Sequence, residues 1–372
     1  MHFWNQFLGI IQAESPMSRR YHRHALLASH KTNGKESIRH AKILRTSNGP
    51  PALLTVSHHL ITLIFSELER TLHPSCRKDK RHSTTFTIIM AACCPPGALG
   101  AGAANPSEPA GKTVVLSPLA QTSSRAEMPC YQVGPAKPKK IICVFTDVFG
   151  PEAGNHKFFC DRLQGILGED TAVWMPDLFR GTPIMRGYFT GKMPWDIFPM
   201  MLGIPYLIWS IKTRITAPGV DQDLLEIVQA HAKETGCTYV GCVGFCFGGW
   251  TVARALGLEG GIFSAGVGVH PSFSIEGMIK GGSGSVETLI QQTSNKPILL
   301  LPAKQDKEAK PDSDLVAQLA KRRATVPSEI SFEFPTMTHG FVARGDSTDP
   351  AVKAEQDKAT DMVASFFKKH FK

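Results

Sequence analysis

From residue 139 to the end of the chain, apolar runs alternate with segments of helical periodicity, and this alternation is what most limits the possible folds. Runs such as KKIICVFTDVFG (139–150) and TYVGCVGF (238–245) are continuously apolar, which is typical of strands buried on both faces. Residues 155–168 and 221–236 instead space their apolar side chains along one helix face. The alternation predicts an α/β fold with a mostly parallel, doubly wound sheet and helices on both faces.

The remaining predicted elements also alternate between strands and helices. Further strands are predicted at 171–179, 264–270, 296–302 and 329–335, and further helices at 247–256, 313–323 and 351–372.

Composition divides the chain into three parts. Residues 1–89 carry 13 Lys and Arg against 5 Asp and Glu and show no sustained periodicity, which predicts a non-globular basic extension. Residues 90–111 are rich in Pro, Gly and Ala and are predicted to be a mobile linker. Residues 112–372 are predicted to form the folded domain. We interpret the extension either as an organellar transit peptide or as an upstream extension of the gene, with Met90 as the working start.

Several classes of function are disfavoured. Residues 90–372 hold 28 basic and 27 acidic side chains, so the net charge of +9 lies almost wholly in the extension and nucleic-acid binding is not expected. No apolar run is long enough to span a membrane. The nine cysteines show no zinc-ligand spacing, and we expect a reducing compartment. The predicted location is cytoplasmic, or mitochondrial or plastid if the extension is a transit peptide.

One stretch interrupts the alternation of strands and helices. Residues 181–218 are bulky, apolar and punctuated by proline. They fit either a lid-like insertion over the carboxyl edge of the sheet, where α/β proteins bind ligands, or an ordinary packing helix with its loop.

The sequence GFCFGG (244–249) sets a thiol between glycines where a strand passes into a helix. This is the pattern of a nucleophile elbow, in which Cys246 occupies a strained turn and projects above the sheet. Only small residues fit two positions before and after it, and these are Gly244 and Gly248. The N-terminus of the following helix favours a thiolate, and the amide of Phe247 is placed to donate to an oxyanion.

A cysteine nucleophile requires a base and an acid that orients the base. Asp306 follows the predicted strand 296–302 in a loop, with Glu308 and Asp312 as rivals for the acid. His339 follows the last predicted strand in the sequence THGF and is the candidate base. His270 is its main competitor, but it precedes the candidate acid, so we interpret it as a loop or pocket-wall residue.

With these three residues in order, the region from about residue 90 to 372 resembles the dienelactone hydrolase family of carboxymethylenebutenolidase-like α/β-hydrolases. The most specific segments are GFCFGG, the HGF triplet at 339–341, and TDVFG with PDLFRG at 146–181. The resemblance implies an α/β-hydrolase fold, no metal and no organic cofactor. It also implies hydrolysis of an ester or lactone through an acyl-cysteine.

Four further residue roles are implied by the resemblance. Asp147 occupies the place of an acid that helps to form the thiolate, although it is one methylene shorter than the usual Glu. Val148 would supply the second oxyanion N–H, and Arg180 and Arg344 would hold a substrate carboxylate.

The leading prediction is therefore a hydrolase of small esters or enol lactones with a Cys246–His339–Asp306 triad, acting as a monomer or homodimer. One alternative is a carboxylesterase or thioesterase that takes a bulkier acyl group. The other is a non-catalytic homologue that acts as a binding protein.

Overall fold

The computed structural model describes residues 95, 98–100, 108–120, 125–184, 217–276, 293 and 296–372. These residues form a seven-stranded sheet with helices on both faces. The strands are β1 (Lys112–Leu116), β2 (Met128–Val133), β3 (Lys140–Phe145), β4 (Thr171–Pro176), β5 (Tyr239–Phe245), β6 (Phe263–Val269) and β7 (Ile298–Leu301).

The sheet order is β1-β2-β4-β3-β5-β6-β7. The first two pairings, β1 with β2 and β2 with β4, are antiparallel, and all the others are parallel. The central strands β3 and β5 are almost completely buried, which explains their uninterrupted apolar sequences. The predicted α/β-hydrolase fold, with a mostly parallel sheet, is confirmed.

The helices match the predicted segments closely. They are α1 (His156–Leu167), α2 (Ala217–Asp223, continued by a π-helical turn Leu224–Val228 and Gln229–Glu234), α3 (Phe247–Gly257), α4 (Asp314–Arg322), α5 (Pro327–Ile330), α6 (Phe341–Arg344) and α7 (Pro350–His370). Helices α2, α3 and α4 pack into the core on one face of the sheet, and α1, α6 and α7 pack on the other.

The topology determines where a site can form. The chain runs from β3 to β4 on one side and from β5 through β6 to β7 on the other, so the strand order reverses between β3 and β5. Asp147 follows β3 and Cys246 follows β5, so both lie at the carboxyl ends of these adjacent strands. This switch point is where open α/β sheets bind ligands.

Two predicted elements differ from the structure. The last predicted strand, 329–335, begins instead as the end of α5 and then runs beside β7 with only two isolated bridges, at Ser331 and Phe334. Phe332 is 36% exposed, whereas Ile330 and Phe334 are buried. The alternation of apolar residues here therefore reflects a segment at the edge of the sheet rather than a full strand. The predicted helix 221–236 begins earlier, because Ala217 is already helical.

The predicted insertion at 181–218 lies almost entirely outside the described residues, as do residues 1–89. Of the predicted linker 90–111, residues 95, 98–100 and 108–111 are described. No helix within the described ranges is long and apolar enough to cross a bilayer.

The C-terminal helix packs on β5 at a glycine. A Cβ atom added to Gly241 would overlap the ring of Phe367 and lie 2.8 Å from the ring of Phe371. Both aromatic side chains are buried, so neither can swing into solvent without exposing the core.

We therefore expect Gly241→Ala to lower the free energy of unfolding by about 1–3 kcal/mol through overpacking. Gly165→Ala is the matched control, because Gly165 lies in α1 with open space around its Cα; it should be neutral or stabilising by up to about 1 kcal/mol. Denaturant unfolding of the two variants measures both values, and equal stabilities would contradict this account of the packing.

Candidate active site

The backbone at Cys246 is strained in the way that a nucleophile elbow requires. Its φ is 53° and its ψ is −110°, a conformation that residues other than glycine rarely adopt. Cys246 is the residue immediately before α3, so its side chain stands at the N-terminus of an eleven-residue helix. The helix dipole there favours a negative charge on the sulfur.

The two flanking glycines are required by close backbone contacts. A Cβ atom on Gly244 would overlap the carbonyl group of Gly248. A Cβ atom on Gly248 would overlap the carbonyl oxygen of Phe145, at the end of β3. The small residues therefore let α3 begin directly against the ends of β3 and β5, as the sequence pattern predicts.

The structure brings Asp306 and His339 together. The Asp306 Oδ1 atom lies 2.6 Å from Nδ1 of His339, and both side chains are buried. The second carboxylate oxygen of Asp306 accepts a hydrogen bond of 2.7 Å from the amide of Ala303. The rival acids Glu308 and Asp312 are exposed. The side chain of Gln305 accepts a hydrogen bond of 2.9 Å from the His339 amide, which ties the two loops together.

His339 is electrostatically coupled to Cys246. Burial opposes a charge on the imidazole, but attraction to the Cys246 thiolate and to Asp306, with hydrogen bonding to both, raises the pKa of His339 to about 9. Its Nε2 atom is fully buried, and the charge of Cys246 raises the pKa of His339 more than either hydrogen bond does. The raised pKa favours the imidazolium form of His339 at neutral pH.

His270 lies beside this pair as a neutral ring. Its centroid is 5.0 Å from that of His339, in an edge-to-face arrangement. Burial and the neighbouring cations of His339 and Arg344 hold the pKa of His270 well below its ordinary value. This agrees with its interpretation as a wall residue rather than as the base.

Two backbone amides near Cys246 have no acceptor among the described residues. Val148 lies in the loop after β3, and Phe247 is the first residue of α3. Neither backbone N–H donates a hydrogen bond to another described residue. Both residues are buried. They remain the candidates for an oxyanion hole.

Asp147 contacts other groups than the thiol. Its carboxylate pairs with Nη1 of Arg344, accepts a 2.9 Å hydrogen bond from the amide of Phe149 and lies 3.5 Å from Nε2 of His156. The role of Asp147 as the acid that helps to form the Cys246 thiolate therefore stays a prediction, and in this structure its carboxylate is bound to Arg344. A fully buried guanidinium is a stronger partner for a carboxylate than a thiol is, and it determines the direction of the side chain.

The two predicted substrate arginines have different surroundings. Arg180 makes a two-pronged contact with Asp223, at 2.8 and 2.9 Å, and this carboxylate, which also contacts Arg125, is 1% exposed. Arg180 is thus held in an ion pair with a buried carboxylate, and its role as a carboxylate clamp stays a prediction. Arg344 is buried next to the triad, over the ring of Phe149, with Asp147 as its partner.

Part of the predicted linker reaches the loop that carries His339. The amide of Leu99 donates a 3.1 Å hydrogen bond to the carbonyl oxygen of His339, and the Leu99 carbonyl oxygen accepts one of 3.0 Å from Nε of Arg344. The backbone of Leu99 therefore bridges the two ends of the segment that carries the candidate base.

The other described cysteines form part of the core. Burial raises the pKa values of Cys130, Cys143, Cys160 and Cys242, which keeps these thiols protonated and unreactive at neutral pH. The interpretation of Cys242 as a core residue agrees with its complete burial in β5.

The comparison with known proteins covers the part of the fold from β2 to the C-terminal helix. The model of the dienelactone hydrolase family matches residues 128–371, about two thirds of the chain. The chain belongs to the dienelactone hydrolase family. As a member of this family, it is a hydrolase.

Its relatives in the dienelactone hydrolase family are distant. The human carboxymethylenebutenolidase homolog is 29% identical over 243 residues, which cover 63% of this chain and 84% of the human one. Hydrolase pyvD of Aspergillus violaceofuscus is 25% identical over 231 residues, which cover 62% of this chain and 81% of pyvD.

Solved structures also align with this chain. A dienelactone hydrolase structure from Anabaena variabilis aligns with a TM-score of 0.41 at 14% identity, covering 71% of this chain and 99% of that one. An acylaminoacyl peptidase structure from Pyrococcus horikoshii aligns with a TM-score of 0.46 at 14% identity; it covers 71% of this chain, which spans 42% of the peptidase.

Sequence reasoning missed several residues that contact the site. Gln305 and Leu99 hold the backbone of His339, and His156 lies against Asp147. Only Gln305 carried a usable signal, because it directly precedes the candidate acid.

The raised pKa of His339 leads to a test by nuclear magnetic resonance. In the intact protein the His339 ring should titrate near pH 9, and Cys246→Ala should lower this midpoint because the thiolate no longer stabilises the imidazolium. Because the pKa of His339 is higher in the folded protein than in the unfolded chain, protonation of this ring stabilises the fold. The stabilisation is complete below about pH 6.5 and is lost as the pH rises through about 9. An unchanged His339 midpoint in Cys246→Ala would contradict the coupling.

The contact of Leu99 can be tested without an activity assay. Leu99→Pro removes the N–H that binds the His339 carbonyl oxygen, whereas Leu99→Ala keeps it. We expect amide hydrogen exchange in residues 339–345 to accelerate in Leu99→Pro, by at least a few-fold, and to stay near the wild-type rate in Leu99→Ala. Equal exchange rates in both variants would show that the bridge does not restrain the loop.

Proposed function

We propose that this protein hydrolyses small carboxylic esters or enol lactones through an acyl-cysteine intermediate. The observation that supports this most directly is the strained Cys246 at the N-terminus of α3, coupled to an imidazole that Asp306 holds at 2.6 Å. The name of the human relative, a carboxymethylenebutenolidase homolog, points to the same class of substrate.

The first half of the reaction would use the thiolate–imidazolium pair. The sulfur electron pair of Cys246 forms a bond to the carbonyl carbon, and the electrons of the C=O bond move onto the oxygen. The amides of Val148 and Phe247 are the proposed donors to this oxyanion. When the oxyanion collapses, the C–O bond breaks and the leaving oxygen takes the proton from Nε2 of His339.

The second half would release the acyl group. Neutral His339 removes a proton from water, and the resulting hydroxide attacks the thioester carbon. The C–S bond breaks, Cys246 leaves as a thiolate and His339 is again an imidazolium. Asp306 favours this cycle because its hydrogen bond keeps the proton on Nδ1 and stabilises the charged ring.

Activated leaving groups suit this site best. A thiolate expels a stabilised enolate or phenolate more readily than a simple alkoxide. Cys246 and His339 are both fully buried, so substrate can reach the sulfur only after local opening of the structure. This requirement favours small substrates.

We further propose that Arg344, rather than Arg180, binds a substrate carboxylate. Arg344 is the buried cation beside the triad, whereas Arg180 is held by Asp223. A substrate carboxylate would have to compete with Asp147 for the guanidinium. Arg344 is therefore expected to contribute most to substrates that carry a carboxylate close to the scissile bond.

The test is a hydrolysis assay with the full chain on an enol lactone, a p-nitrophenyl ester and a thioester. Cys246→Ala should lower kcat/KM on every accepted substrate by about a thousandfold or more, since the nucleophile is lost. Cys237→Ala, which removes a half-buried thiol away from the elbow, should leave it unchanged. Preference within the panel separates lactone hydrolysis from thioesterase or general esterase activity.

A trapped intermediate gives an independent check. Rapid quenching with an activated ester followed by peptide mass spectrometry should find the acyl group on the peptide that contains Cys246. Hydrolysis that persists in Cys246→Ala, or acyl groups found only on other residues, would reject the acyl-cysteine mechanism.

A further inference from the structure

The end of β6 and the turn that follows it contact the candidate nucleophile at three points. The amide of Cys246 donates a 3.2 Å hydrogen bond to the carbonyl oxygen of Val269. The amide of Ser272 donates one of 3.0 Å to the carbonyl oxygen of Cys246. The hydroxyl of Ser272 also donates to Sγ of Cys246 over 3.4 Å. The first two contacts hold the backbone of the elbow, and the third reaches the reacting atom.

The position of the Ser272 hydroxyl is set by the packing of its neighbours. Pro271 lies against two glycines: added Cβ atoms would come within 2.5 Å of it at Gly249 and within 3.2 Å at Gly268. His270 has a φ of 38°, and its amide donates a 2.9 Å hydrogen bond to Leu301 on β7. The turn is therefore anchored on both sides, and Ser272 has little freedom to move away from the sulfur.

The contact matters most when the sulfur carries a charge. Ser272 is 5% exposed and Cys246 is fully buried, so bulk water does not solvate the sulfur in this structure. A buried anion requires donors from the protein, and a hydrogen bond to a charged acceptor is about twice as strong as one to a neutral acceptor. A hydroxyl that donates to Sγ therefore stabilises the thiolate more than the thiol.

We propose that Ser272 is a further catalytic residue of this site, whose hydroxyl stabilises the Cys246 thiolate in the resting enzyme and again when the sulfur leaves the thioester. This role rests on the proposed function. In the first step the charge moves from Sγ to the carbonyl oxygen and the hydrogen bond weakens. In the last step the C–S bond breaks, its electron pair returns to Sγ, and the Ser272 hydroxyl bonds to it once more.

The experiment measures the reactivity of Cys246 without a substrate. The full-length protein is alkylated with iodoacetamide between pH 4 and 9, and mass spectrometry follows the peptide that contains Cys246. In Ser272→Ala, the pH midpoint of the acid limb should rise by about one unit, because one charge-assisted hydrogen bond is lost. Below both midpoints the alkylation rate should therefore fall about tenfold.

Two variants act as controls. Ser272→Thr keeps the hydroxyl and should return the midpoint towards the wild-type value. Ser264→Ala removes a hydroxyl from the opposite end of β6, where it donates to Val240, and should leave the midpoint unchanged. If Ser272→Ala does not fold, Ser272→Cys, which has a weaker donor of similar size, should show a smaller upward shift, and the absence of any shift would overturn the proposal.

The outcomes separate this inference from the function on which it rests. If Cys246 is the fastest-reacting thiol and its midpoint does not move in folded Ser272→Ala, the role of Ser272 is wrong while the acyl-cysteine mechanism stands. If Cys246 is not preferentially alkylated in the wild-type protein, both are wrong. A shift in Ser272→Ala that Ser272→Thr reverses is the result that we expect.

Discussion

The site depends on the strained backbone of Cys246. A left-handed φ at a residue with a Cβ atom costs about 1–2 kcal/mol, and it persists only where the surrounding structure holds it. Here the amide of Cys246 is bonded to the last residue of β6 and its carbonyl group to the turn that follows, and Gly244 and Gly248 allow the backbones to approach on the other side. This backbone fixes the position of the sulfur, which influences the pKa of His339.

The buried charges around Cys246 are arranged in balanced pairs. Arg344 pairs with Asp147, and His339, whose raised pKa favours the imidazolium form, pairs with Asp306. An unpaired buried charge would be strongly unfavourable, so each group restricts the directions that its neighbours can take. This explains why Asp147 turns to the guanidinium, and why His270, for which the described residues offer no counter-ion, stays neutral.

Loops from four strand ends contribute to the site, and backbone hydrogen bonds hold them in place. Gln305 and Leu99 bind the main chain of His339 on either side, and Ser272 binds that of Cys246. These contacts involve main-chain groups, so the identity of Leu99 leaves no mark on the pattern of the sequence. Residues 98–100 looked like part of a linker for this reason, although Leu99 bridges His339 and Arg344.

Local sequence was sufficient for most of the elements and for the order of the candidate site. Continuous apolar runs identified the buried strands, glycine spacing identified the elbow at Cys246, and the strand ends identified Asp306 and His339. It could not choose Asp306 over Glu308 and Asp312, and it could not assign partners to Asp147, Arg180 or Ser272. Those choices depend on residues far away in the chain, such as Arg344 and Asp223, because a buried charge or hydroxyl turns to whichever partner the tertiary fold brings within hydrogen-bond distance.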